Sequence, residues 1–107
     1  MIDPLTKAAN PNELQFDIPF TQYLLPDGRT RRATFSVIGK TAVDAKAVLD
    51  KGLRFECEIL TTSEVSLTVF DPETEEDIAI EIVANGPGVP DAVDRLVESA
   101  VSYERKE

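Results

Sequence analysis

The chain has no histidine, a single cysteine and no apolar run longer than a few residues. Each absence removes a class of chemistry. Without imidazole there is no Ser-His-Asp or Cys-His nucleophile and no His-ligated metal. One thiol, Cys57, excludes an internal disulfide and the Cys-rich zinc sites. The short apolar runs predict no transmembrane helix. Met1 to Asn12 carries neither the basic start nor the apolar core of a secretory signal, and residue 2 is Ile where myristoylation needs Gly. The expectation is a cytoplasmic protein in a reducing compartment, with no cofactor and no metal.

Positive charge is the other scarcity. The 107 residues hold 20 acidic and 11 basic side chains, a formal charge of −9. The imbalance is local. Residues 1–55 carry 8 basic and 6 acidic groups, net +2, whereas residues 56–107 carry 3 basic and 14 acidic, net −11. No Lys or Arg falls between Phe55 and Asp94. Such a field repels phosphate and speeds encounter with a basic surface, so a basic protein is the expected partner and direct nucleic-acid binding is not expected. Acidity also keeps a small protein soluble, which is the competing explanation.

Hydrophobic residues make up 42% of the chain, enough for one domain that folds alone. Residues 1–12 contain two Pro and no sustained period, and read as an N-terminal arm; the domain is expected over 13–107. Leu14, Phe16, Ile18 and Phe20 alternate with polar or proline positions, as in a strand with one buried face. Pro19 cannot donate to a ladder and suggests an edge or a bulge. Pro26-Asp27-Gly28-Arg29 signals a turn, and Ala33, Phe35 and Val37 begin the return strand.

From Thr41 the period becomes helical through Ala42, Ala45, Val48 and Leu49, with Thr41 a candidate N-cap and Gly52 a candidate C′ residue. Three strands follow, carrying Phe55, Cys57 and Ile59, then Val65, Leu67 and Val69, then Ile78, Ile80 and Ile82. After Asn85-Gly86-Pro87-Gly88, a second helix is expected from about Pro90 to about Tyr103, on the stripe Val93, Leu96, Val97, Ala100 and Val101. The pattern predicts an α+β fold, ββαβββα, with a five-stranded, mainly antiparallel sheet and two helices on one face. A right-handed crossover through the first helix makes strands 2 and 3 parallel, permitting the order 1-2-3-4-5 or a fully antiparallel 2-1-3-4-5. Pro19 favours the first.

Three stretches, Ile18-Pro19-Phe20-Thr21-Gln22-Tyr23-Leu24-Leu25-Pro26-Asp27-Gly28-Arg29, Arg54-Phe55-Glu56-Cys57-Glu58-Ile59-Leu60-Thr61-Thr62 and Asn85-Gly86-Pro87-Gly88-Val89-Pro90-Asp91-Ala92-Val93-Asp94-Arg95-Leu96, resemble a family of small acidic proteins of phage and prophage genomes. The likeness spans about residues 16–97. It implies a viral or mobile-element setting and brings with it no catalytic or binding residue.

The alternation places Glu56, Glu58, Glu64 and Glu81 on the exposed face of the sheet, with the loop Asp71 to Asp77 at its rim. These four are the candidate contacts to a basic protein partner, and an inhibitor of a host defence or nucleic-acid-handling complex is the sharpest form of that expectation. The alternative is a structural or self-assembling module, monomer or homodimer, in which the acidity only solubilises. Tyr23, Leu24, Leu60, Phe70 and Val83 would anchor such a patch if they cluster. Arg29, Arg31 and Arg32 suit a solvated edge better than a nucleic-acid footprint. Asp71-Pro72-Glu73-Thr74-Glu75-Glu76-Asp77 lacks the EF-hand's spacing and central Gly, and reads as a hairpin loop. Asp91 and Asp94 in the first turn of the second helix disfavour an anion there. Cys57, between two carboxylates on the apolar side of its strand, is expected to be unreactive. No constellation for carboxylate-only catalysis is visible, so the protein is expected to be no enzyme.

Overall fold

Among the described residues, seven elements follow one another: β1 (Gln15–Leu24), β2 (Arg29–Ile38), α1 (Gly39–Asp50), β3 (Arg54–Ile59), β4 (Glu64–Asp71), β5 (Glu76–Ala84) and α2 (Val89–Val101). This computed structural model describes residues 14–24 and 27–104; the expected arm, residues 1–12, and Pro26 of the first turn lie outside the described residues. The class is α+β in the order ββαβββα, and three of the four strand pairings are antiparallel. The alternating apolar sets meet both helices in one core, where Ile18, Val48, Leu53, Phe55, Val69, Val93, Leu96 and Val97 are almost wholly buried. Phe20 and Phe55, opposite each other on β1 and β3, pack with tilted rings 5.3 Å apart.

The strand order is β2-β1-β3-β4-β5. This corrects the order 1-2-3-4-5, and it also corrects the all-antiparallel version of 2-1-3-4-5. β1 and β3 are parallel neighbours, so β2 and β3 are antiparallel and never pair. Two lengths explain how Pro19 is tolerated in an inner strand. α1 starts beside the first residue of β1, since Gly39 N–H donates to Leu14 O at 2.8 Å. Twelve helical residues rise about 18 Å, close to the span of the first five steps of β1, so β3 arrives level with Phe20. Residues 15–19 of β1 therefore have β2 as their one strand neighbour. The Gly39–Leu14 bond also fixes the ladder's parity. It makes Pro19–Thr34 a non-hydrogen-bonded pair, with the proline nitrogen turned toward the side where β3 has not yet begun.

Helix α1 starts two residues before the expected Thr41 cap. Ile38 is the N-cap and supplies no side-chain hydrogen bond; Gly39, at φ +64°, turns the chain out of β2 directly into the helix. Gly52, at φ +93°, closes the helix as expected, its N–H donating to Leu49 O at 2.9 Å. Lys51 joins the two helices at their ends. Its Nζ donates to the carbonyls of Val101 and Tyr103 at the C-terminus of α2, where a cation complements the helix dipole. Tyr103 in turn donates to the buried carboxylate of Asp71 at 3.1 Å, fastening the chain beyond α2 to the end of β4.

β5 departs most from the expected pattern. Val69 lies opposite Ala79 and Phe70 opposite Asp77, so Ile78 is an extra residue, a β-bulge. The bulge exchanges the two faces of the rest of the strand. Ala79, Glu81 and Val83 face the helices, while Ile80 and Ile82, expected in the core, are 52% and 62% exposed on the other side. Val83, expected on the open face, accordingly packs against the core.

Urea denaturation should separate these environments. Leu96→Ala, which empties a fully buried site, is expected to cost about 2–5 kcal/mol, whereas Ile82→Ala should stay within about 0.5 kcal/mol. Gly39→Ala meets no atom within 4 Å, so its expected loss of about 1–2 kcal/mol is conformational alone.

Candidate functional site

Both helices lie on one side of the sheet, and among the described residues no helix covers the other side. Cross-strand register arranges that open face in rows. One row runs Thr30, Tyr23, Glu58, Ser66, Ile82, and the next runs Arg32, Thr21, Glu56, Thr68, Ile80. Neighbours along a row are about 5 Å apart, and Glu56 and Glu58 stand about 7 Å apart on the middle strand. Glu64, opposite Ala84, continues the acidic group at the start of β4. Of the four predicted contacts, Glu56, Glu58 and Glu64 thus share the open face.

Glu81 does not join them. The bulge at Ile78 turns it to the helix side, where its carboxylate accepts from Arg95 of α2 at 2.8 Å. This placement corrects the expectation of a four-carboxylate face. The open face gains apolar groups instead: Ile80 and Ile82 on β5, beside Phe70 of β4. Sequence reasoning missed the two isoleucines, because regular alternation counts them into the core. Leu60 is half-buried just after β3.

The face is also less uniformly acidic than expected, since Arg32 and Arg54 share it with the carboxylates. Tyr23 links its aromatic and acidic parts by donating from its hydroxyl to Glu56 Oε1 at 3.2 Å. Burial, reinforced by the Glu56 charge and hydrogen bond, pushes the Tyr23 phenol above its ordinary pKa.

The basic cluster is divided by the pleat. Arg32 stands on the open face, while Arg29 and Arg31 stand opposite Leu24 and Gln22 on the helix side. Arg29 pairs with Asp27 at 3.0 Å; Arg31 Nε donates to Gln22 Oε1. Cys57 is 8% exposed on that same side. Burial raises its pKa and Glu58 adds to the effect, against the opposing pull of a Gln22 hydrogen bond and the Arg31 charge. Among the described residues, no group of three or more acidic or thiol side chains is placed to hold a metal ion, and no helix is long and apolar enough to cross a membrane.

Comparison with protein-family models, with curated proteins and with solved structures finds no match to this chain.

The Tyr23–Glu56 contact is open to titration. In a Tyr103→Phe background, absorbance at alkaline pH should show the remaining phenol ionising above 10.0, and Glu56→Gln should bring it down, since the carboxylate opposes phenolate formation. The sign carries over to stability. A phenol with a raised folded pKa stabilises below its unfolded value and ceases to do so as pH climbs through the folded value, so denaturation midpoints should fall on the alkaline side of pH 10.0.

Proposed function

We propose that this protein is a non-enzymatic accessory module of phage type that acts stoichiometrically, binding a partner with a basic surface through its open sheet face. The sharpest form of the reading is inhibition of a host defence or nucleic-acid-handling complex, whose basic surface the carboxylates would occupy. The observation that carries it is a juxtaposition: Ile80 and Ile82, half or more exposed, lie across β4 from Glu56 and Glu58 on a face no helix covers. An apolar anchor with a charged surround is the arrangement that gives protein interfaces their affinity and their orientation. Glu56, Glu58 and Glu64 supply the charge; Ile80, Ile82, Phe70 and Tyr23 supply the area.

A second reading places another copy of the chain on the same face. It is favoured by Ile80 and Ile82 lying on β5, an edge strand of the sheet.

The test compares wild type, the triple variant Glu56→Lys/Glu58→Lys/Glu64→Lys, and Ile80→Ser/Ile82→Ser. Each serves as bait in a bacterial host lysate eluted with rising salt, with the mass of each bait measured by light scattering. A basic protein held by wild type, released by salt and lost from both variants is expected. Identical retention by all three baits overturns the binding reading. A dimer abolished by the serine pair but indifferent to charge reversal would replace it with self-association.

A further inference from the structure

The helix side of the sheet is incompletely roofed. α1 packs on β1 and β2, entering beside Leu14 and leaving where β3 begins, and α2 packs on β4 and β5. Among the described residues, the quadrant over the far half of the β1–β2 hairpin has no helix above it. A groove of about 380 Å³ fills that space, bounded by Phe20, Phe35, Cys57 and Leu67 of the sheet and by Val89 and Val93 of α2. Its volume lies within the range of small-molecule sites, and most of its lining is apolar.

Polar residues line the groove on both sides, Gln22 and Thr34 from the β1–β2 hairpin and Asn85 from the loop before α2. Gln22 lines the groove, and its amide oxygen accepts from Arg31 Nε. Arg31 is exposed and stands beside Gln22 rather than in the groove wall. Arg29 and Arg95 are each paired with a carboxylate, whereas among the described residues none lies in ion-pair contact with Arg31. The Arg31 charge is nonetheless felt inside the groove, at the Cys57 thiol.

We propose that this groove binds a small apolar carboxylic acid, its chain against the partly exposed Phe35, Ile59 and Val89 and its carboxylate on the Arg31 guanidinium beside Gln22. The occupant follows from volume and charge together. At about 380 Å³ the groove falls within the range of small-molecule sites, so a medium-chain acid such as decanoate serves as the probe. An apolar wall beside an exposed arginine that makes no ion pair among the described residues favours an anion with a hydrocarbon tail over a neutral or cationic analogue. The site lies on the opposite side of the sheet from the proposed protein-binding face, so the two readings stand or fall separately.

Decanoate, decanol and decylamine, titrated calorimetrically into the full chain, test the proposal. Decanoate is expected to bind saturably with one site per chain, and decylamine more weakly. Arg31→Gln should weaken decanoate about tenfold or more, the value of a charge-assisted pair, while leaving decanol within about twofold. Ala33→Phe, which adds a ring to the groove wall, should weaken decanoate and decanol alike. Cys57, the one thiol in the chain, gives an independent readout: saturating decanoate should slow its reaction with a thiol reagent. The proposal is overturned if decanoate does not saturate, if Arg31→Gln binds it as well as wild type, if decylamine binds equally, or if bound decanoate leaves Cys57 unprotected.

Discussion

Because side chains on a strand alternate with a period of two, one inserted residue exchanges everything that follows it. Ile78 is that residue in β5. Eight residues of β4 face nine of β5, and beyond the bulge the small Ala79, the acidic Glu81 and Val83 turn toward α2. The helix accommodates this inward set with Arg95, whose guanidinium meets Glu81, so the carboxylate is paired where it is turned away from the open face. The same exchange turns Ile80 and Ile82 outward and gives the open face its apolar area. Without the bulge Ile80 and Ile82 would turn inward, and Glu81 would stand on the open face with Ala79 and Val83.

A second constraint acts through length. α1 delivers the chain to β3 level with Phe20, and three consequences follow from that height. The first half of β1 keeps only one strand neighbour, which accommodates Pro19. Phe20 and Phe55 come together with tilted rings at the start of the parallel register. Finally, α1 is used up against the near half of the hairpin, leaving the far half unroofed and the groove open beside α2.

The number and type of the elements were legible because each has a clean period. Ile18-Phe20, Val65-Leu67-Val69 and the stripe Val93, Leu96, Val97, Ala100 are buried as their spacing requires. Strand order was not legible. Pro19 reports only a missing donor, which an edge strand and the unpaired half of an inner strand satisfy equally. Nor was the facing of β5, where both alternate sets contain apolar residues and the larger isoleucines pull the assignment toward the wrong side. Three of the four candidate carboxylates stood on strands without bulges and were placed correctly; Glu81, after the bulge, was not. The groove left no trace in the sequence, because it is defined by where two helices stop.

The two sides of the sheet carry different local fields, although Cys57 on the helix side still senses Glu58 of the open face. Around exposed side-chain ends at physiological salt, solvent ions largely screen a charge beyond about 8 Å, so the nearest groups dominate. A ligand in the groove therefore responds chiefly to Arg31 rather than to the −9 of the whole chain. A macromolecule approaching the open face meets Glu56, Glu58 and Glu64 with Arg31 and Arg95 directed to the far side. The division of the arginines by the pleat matters for the same reason. Had Arg29, Arg31 and Arg32 all faced one way they would have formed a small basic patch, but two strand positions send Arg29 and Arg31 to the helix side and one leaves Arg32 among the carboxylates. Local placement, not net charge, sets what each surface of this small acidic protein attracts.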